Sequence, residues 1–116
     1  MCATYGLNSQ HHASGVINNA KLPETDTIEL NCIGIGDISF AAYPYEMFCQ
    51  EGQYIKEHTP FKMTFIAGYA NGFFAYIPDD LGWTNGGYER DITKFAQGTA
   101  EDCAREFVAL LEKLHG

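Results

Sequence analysis

The sequence predicts a small α/β domain in which a mixed sheet of about four strands packs against two helices. Alternating apolar and polar residues typical of strands recur along the middle of the chain, and an apolar stripe of helical spacing lies near its C-terminal end. The length of 116 residues suits one domain that buries its own core. The predicted element order is β-β-α-β-β-α.

Two segments of the chain differ in their pattern. Residues 1–24 show neither the period of a strand nor that of a helix, so we expect an irregular leader there. Residues 25–116 contain all the periodic segments, and no repeat or low-complexity tract divides them. We therefore expect a single α/β domain over residues 25–116.

The first two predicted strands form a β-hairpin. The segment "TIELNCIGIG" alternates apolar and polar residues, and "ISFAAYP" follows as a partner strand. Gly36 and Asp37, between the two, suit a tight turn. The glycines of "GIGD" are therefore interpreted as turn residues and not as a phosphate-binding loop, which would connect a strand to a helix.

The rest of the chain alternates between predicted helices and strands. A helix is expected from Tyr45 to about His58, although Gly52 costs it about 1 kcal/mol relative to alanine. The segments "KMTFIAGYA" and "FFAYIP" predict two further strands, and "DDLGWTNGGYERD" predicts a loop. A second helix is expected to start near Thr99. Its apolar face comprises Cys103, Phe107, Leu110, Leu111 and Leu114.

The charge and the cysteine pattern exclude some classes of function. The 7 Lys and Arg against 15 Asp and Glu give a net charge of −8, which repels phosphate backbones, so no nucleic-acid partner is expected. No apolar segment approaches the length of about 20 residues that spans a bilayer, and no signal peptide is evident, so we expect a soluble, cytoplasmic chain. The four cysteines form no C-x-x-C pair, and we expect Cys32, Cys49 and Cys103 to be buried.

Glu46, in "PYEMF", is the clearest candidate for chemistry. A carboxylate near a helix N-terminus is stabilised by the helix dipole, which is a purely structural interpretation. Alternatively, a glutamate just past a strand end lies where α/β sheets form their active sites. Tyr76 and Tyr88 are open to the same two interpretations, as core residues or as site residues. His11 and His12 would point in opposite directions in an extended chain, so we expect no metal site there.

Residues 27–115 resemble a known family. The segments "GDISFAAYPYEMF", "GQYIKEHTPFKMTFIAGYANGFFAYIPDD" and "GGYERD" resemble, in order and spacing, the C-terminal part of the catalytic domain of the neutral/alkaline, non-lysosomal ceramidases and their bacterial relatives. Those proteins are zinc amidases that cut the N-acyl bond of ceramide. The resemblance implies that Glu46 and Tyr76 are zinc ligands and that Tyr88 is a catalytic residue that helps to stabilise the oxyanion. Tyr45 stands where the family has a small residue, and we expect it to crowd the site or to change substrate choice.

The resemblance also implies what this chain would need in order to act. In the family, two histidines from an earlier part of the domain complete the zinc site. We therefore expect a missing N-terminal portion of the catalytic domain to be a partner, an N-acyl lipid to be the substrate of the complete protein, and the isolated chain to be inactive.

Two other classes of function remain open. One is a non-catalytic α/β domain without a metal site, which self-associates, for example as a homodimer, through uncovered apolar surface. The other is a small stand-alone enzyme that uses different residues, although no pair of nucleophile and base can be named for it.

Overall fold

The computed structural model describes residues 9–116, which form an α/β fold. The strands are β1 (Asn31–Ile35), β2 (Ile38–Ala42), β3 (Glu46–Met47), β4 (Met63–Ala67) and β5 (Tyr76–Ile77). The helices are α1 (Gln10–Asn19), α2 (Cys49–His58), α3 (Asp80–Asn85), α4 (Tyr88–Ile92) and α5 (Thr99–His115). The predicted fold class is confirmed, and residues 9–116 contain more helices than the two that were predicted.

The strands form two sheets instead of one. β1 and β2 are the predicted antiparallel hairpin, with Gly36 at φ 58° in its turn, and β4 lies parallel to β2, so the larger sheet is mixed as predicted. β5 does not join it but pairs with β3. Pro44, which has no N–H to donate, lies between β2 and β3, and the chain changes partner there. Because β3 occupies Glu46–Met47, helix α2 begins at Cys49 and not at Tyr45, where the sequence predicted its start.

One face of the three-stranded sheet packs against α2 and α5 and forms the core with them. A hydrogen bond of 2.7 Å between the hydroxyls of Ser39 and Thr64 joins β2 to β4 inside this layer. The buried face of α5 is narrower than the sequence predicted, since Leu114 remains 45% exposed. None of the described helices is both long enough and apolar enough to cross a bilayer. The buried side chains at the centre are Ala41, Ile55, Ile77, Phe107 and Leu111.

The segment that was predicted to be an irregular leader contains helix α1. Ser9 caps this helix and donates a hydrogen bond to Oδ2 of Asp91 at 3.0 Å, and Nδ2 of Asn19 donates to the Thr93 carbonyl at 2.7 Å. Gly15 lets α1 approach α4, because a Cβ there would lie 2.0 Å from the Asp91 carbonyl oxygen. Tertiary contacts stabilise this short helix, which explains why no apolar periodicity predicted it.

The predicted loop after β5 contains the short helices α3 and α4. Asp79 caps α3, where its Oδ1 accepts a hydrogen bond from the Gly82 N–H at 2.6 Å. Gly86 and Gly87, at φ 74° and 117°, separate the two helices. Helices of six and five residues are too short to show an amphipathic period, so the prediction of a loop was wrong.

The cysteines differ in burial. Cys103 is buried and Cys32 is partly buried, whereas Cys49 is exposed, so the prediction of burial was wrong for Cys49. It is the first residue of α2, and that helix turns Glu51 and Ile55 towards the core.

Candidate functional site

Glu46 and Tyr76 occupy directly opposed positions in the parallel pair of β3 and β5. The N–H of Glu46 donates to the Ala75 carbonyl at 2.9 Å, which helps to fix this register. Directly opposed residues point to the same face of a pleated pair of strands. The fold therefore places a carboxylate and a phenol from distant parts of the sequence side by side.

Tyr88 lies against Tyr76. The two ring centroids are 6.0 Å apart in an edge-to-face arrangement. Tyr88 is the first residue of α4, and Thr93 is the C-cap of the same helix. The Thr93 hydroxyl donates a hydrogen bond to the Tyr76 carbonyl at 2.7 Å and so joins α4 to β5. Glu46, Tyr76 and Tyr88, the residues that the sequence analysis singled out, thus form one cluster.

Tyr69 also belongs to this cluster, although no sequence motif predicted it. Its hydroxyl donates a hydrogen bond to Oε2 of Glu46, and its ring stacks on Phe73 with centroids 4.9 Å apart. The hydrogen bond to the Glu46 carboxylate raises the pKa of Tyr69 to about 12. Tyr69 lies in the segment "KMTFIAGYA", which was predicted to be a strand throughout, whereas β4 ends at Ala67. Nothing in the strand pattern indicates a contact with Glu46.

The loop between β4 and β5, which carries Tyr69, has an unusual backbone. Three of its residues that are not glycine adopt positive φ: Tyr69 at 53°, Asn71 at 63° and Ala75 at 71°. Such conformations are costly for residues with a Cβ and persist only where surrounding contacts impose them. Here backbone hydrogen bonds hold the loop to the segment before β3, for example from the Phe74 N–H to the Pro44 carbonyl at 3.0 Å.

His11 approaches the cluster from α1. Its ring lies edge-on to the ring of Tyr88, with centroids 5.1 Å apart and an interplanar angle of 88°. His11 was expected to lie in an extended leader, so this contact was not predicted. Docking of α1 on α4 brings an imidazole to one side of the tyrosine pair.

The electrostatics of the cluster favour the protonated phenol of Tyr76. Burial raises the pKa of Tyr76, and the Glu46 carboxylate and Tyr88 raise it further. The hydroxyl therefore remains a hydrogen-bond donor at neutral pH.

Tyr45 does not crowd this cluster, contrary to expectation. It is only 2% exposed, and its ring meets the ring of Phe95 edge-on in the core, with centroids 5.0 Å apart. Successive residues of a strand point to opposite faces, so Tyr45 lies on the core side when Glu46 lies on the other.

The fold is similar to part of a ceramidase. The solved structure of a ceramidase complexed with C2 matches this chain with a TM-score of 0.63 and 22% sequence identity, over 73% of this chain and 15% of that chain. This chain thus covers a small part of the length of that protein. No family model matches the chain, and the search of curated proteins found no significant match. At this level of identity the similarity shows a shared fold.

The cluster offers two oxygen donors to a metal ion, from Glu46 and Tyr76. Among residues 9–116, no three His, Cys, Asp or Glu side chains are grouped so that they could hold a metal. Zinc sites in proteins have three or four protein ligands. Two donors are fewer than that, so Glu46 and Tyr76 alone do not make up a zinc site.

Proposed function

We propose that this chain supplies part of the active site of a ceramidase-like, zinc-dependent amidohydrolase that cleaves the N-acyl amide bond of a lipid. The observation that carries the proposal is the in-register pairing of Glu46 with Tyr76, with the ring of Tyr88 packed against Tyr76. The fold similarity to a ceramidase and the motifs around these residues support it.

Each residue of the cluster has a distinct role in this proposal. The oxygens of Glu46 and Tyr76 would hold zinc, and Tyr69 would position the carboxylate through its hydrogen bond. A zinc ion with an open coordination position lowers the pKa of bound water to about 7 and polarises a carbonyl group. The hydroxyl of Tyr88, whose side chain is half-exposed, would donate a hydrogen bond to the amide oxygen as negative charge develops there.

The remaining ligands would come from a partner, which we propose to be the N-terminal portion of the catalytic domain. The products of hydrolysis are a carboxylic acid and an amine, because one water molecule is consumed for each amide bond broken. With two oxygen donors alone, the isolated chain would hold zinc weakly, and we propose that it does not hydrolyse the substrate.

The test is to combine this chain with a polypeptide that carries the N-terminal portion of a ceramidase catalytic domain. After dialysis, bound zinc is measured by mass spectrometry, and hydrolysis is followed with a fluorescent N-acyl sphingosine. We expect one zinc ion per complex, and loss of that zinc in Glu46→Gln and in Tyr76→Phe. Tyr88→Phe should retain zinc and lower kcat by about 100-fold or more, the size of effect seen when one oxyanion donor is removed.

Tyr54→Phe is the matched control, since Tyr54 lies on α2 and stacks on His58, outside the cluster. It should change neither the zinc content nor the rate. A stable complex that retains no zinc, or one in which Glu46→Gln retains it fully, would contradict the proposal.

A second candidate function is a non-catalytic domain in which the three site residues serve packing. The uncovered apolar residues of the three-stranded sheet favour it, because self-association would bury them. Stoichiometric zinc that depends on Glu46 would exclude this candidate.

A further inference from the structure

The three-stranded sheet exposes an apolar face, called the outer face below. The strand register arranges its six side chains in two rows across β1, β2 and β4. All six are large, apolar and between 37% and 66% exposed. The rows are Ile33, Phe40 and Phe65, and Ile35, Ile38 and Met63.

The outer face lies opposite the helices. On the central strand β2, Ser39 and Ala41 are fully buried beneath the helical layer, while Ile38 and Phe40 alternate with them and remain 39% and 37% exposed. A sheet that faces water on one side normally has polar residues on that side. A central strand that presents isoleucine and phenylalanine to solvent indicates that this face has a partner.

The size of the face is sufficient for a specific interface. The exposed fractions of the six side chains correspond to roughly 600 Å² of apolar surface, at the upper end of the largest patches on monomeric proteins. Pairing two such faces would bury roughly 1,200 Å² in total, which is the lower limit for stable protein–protein interfaces.

The chemistry of the face suits a second copy of the same chain. The six side chains carry no charge, so two copies, each with a net charge of −8, oppose no like charges at the centre of the paired faces. Phe40 and Phe65 stack with centroids 5.2 Å apart and make the middle of the face continuous. The ion pair of Lys62 with Asp37, at 2.6 Å, lies beside the hairpin turn at one end of the rows and forms part of a polar rim.

We infer that the outer face is a self-association surface on which a second copy of this chain packs sheet against sheet. The two sheets would lie about 10 Å apart and be related by a twofold axis near β2, the central strand. The inference goes beyond the proposed function and does not depend on it, because the outer face contains none of Glu46, Tyr76 and Tyr88.

The experiment is sedimentation velocity of the 116-residue chain over a wide range of protein concentration. We expect a reversible equilibrium between monomer and dimer. Phe40→Glu should raise the dimer dissociation constant by about 100-fold or more, because it places a charge in the centre of a desolvated interface. Phe73→Glu is the matched control, since Phe73 is 76% exposed and lies outside the outer face, and it should leave the dissociation constant unchanged.

A pair of variants with opposite charges distinguishes a specific interface from non-specific hydrophobic association. Near a twofold axis, the Phe40 positions of the two copies approach each other, so a mixture of Phe40→Glu and Phe40→Lys chains should restore a heterodimer. Circular dichroism checks that each variant is folded. If Phe40→Glu unfolds, Met63→Glu replaces it, since Met63 lies on an edge strand and is 52% exposed.

Three results would overturn the inference. These are a monomer at every concentration, a dimer that Phe40→Glu does not weaken, and heterogeneous aggregates without a defined dimer. If the chain is monomeric alone but binds the N-terminal portion of a ceramidase catalytic domain in a way that Phe40→Glu abolishes, the outer face binds that portion and not a second copy.

Discussion

The hydroxyl of Tyr69 donates its hydrogen bond to Oε2 of Glu46, so one oxygen of that carboxylate has a partner within the fold. Glu46 is also the in-register neighbour of Tyr76. The carboxylate is therefore held between two tyrosines that come from different ends of the loop between β4 and β5.

Removal of this carboxylate should change the titration of Tyr69. In Glu46→Gln the negative charge is lost, and we expect the pKa of Tyr69 to fall from about 12 towards the ordinary value of 10.0. NMR of tyrosine rings labelled with 13C at Cζ measures this pKa. Glu57→Gln, on the exposed side of α2, is the control and should leave it unchanged. An unchanged pKa in Glu46→Gln would show that the hydrogen bond does not form in solution.

Two glycine substitutions should have opposite effects on stability. In Gly15→Ala the new Cβ would lie 2.0 Å from the Asp91 carbonyl oxygen, so we expect the free energy of unfolding to fall by about 1–3 kcal/mol. In Gly52→Ala the new Cβ would make an ordinary contact of 3.8 Å with Ile66. The gain in helix propensity should raise the free energy of unfolding by about 0.5–1 kcal/mol.

Urea unfolding measures both changes, and hydrogen exchange localises the first one. Amide protection should be lost over residues 10–19 in Gly15→Ala and retained there in Gly52→Ala. Full protection of α1 in Gly15→Ala would contradict its close packing on α4.

Replacement of Ala75 by glycine should stabilise the protein. Ala75 adopts φ 71°, a conformation that is unfavourable for a residue with a Cβ and easy for glycine. We expect the free energy of unfolding to rise by about 0.5–1 kcal/mol, because the release of strain exceeds the added entropy of the unfolded chain. Ala70→Gly is the control, since Ala70 lies in the same loop but does not adopt positive φ, and it should lower the free energy of unfolding. Urea unfolding measures both changes.

Stability should depend on pH through Glu51. This residue is only 6% exposed, and its Oε2 has no hydrogen-bond partner among the described residues. Burial raises its pKa from 4.5 to about 7, and the nearby carboxylates of Asp79, Glu101 and Asp80 add to the effect. The folded state therefore binds a proton that the unfolded state releases, and each unit of pKa shift corresponds to about 1.4 kcal/mol.

This difference in proton binding determines how the free energy of unfolding changes with pH. The stabilising contribution is complete below about pH 4.5 and is lost as the pH rises through about 7. Urea unfolding at about pH 5 and pH 8 should show lower stability at pH 8. Glu51→Gln should reduce this difference, whereas Glu57→Gln, at an exposed position of the same helix, should not. An equal pH dependence in wild type and Glu51→Gln would contradict the assignment.

Local pattern predicted the elements that carry their own periodicity. The alternation around the turn at Gly36 predicted the hairpin, and the spacing of Cys103, Phe107 and Leu111 predicted helix α5 and its buried face. In contrast, α1 depends on contacts with α4, and α3 and α4 are too short for a period to show. These helices became visible only when the fold was known.

The candidate site was predicted only in part for the same reason. Glu46, Tyr76 and Tyr88 were singled out from motifs, and their roles remain predictions. The positions of Tyr69 and His11 follow from a loop with positive φ and from a helix docked by tertiary contacts. No rule of local spacing describes either one.

The docking of α1 depends on residues that lie far from it in the sequence. Its hydrogen bonds from Ser9 to Asp91 and from Asn19 to Thr93 span 82 and 74 residues of sequence. On the ribosome, α1 emerges before α4 has been translated, so the nascent helix lacks its partner until the residues of α4 have been made. Contacts of such large sequence separation form slowly, because a long loop must close before they are made. Helix α1 is thus synthesised well before the helix on which it docks.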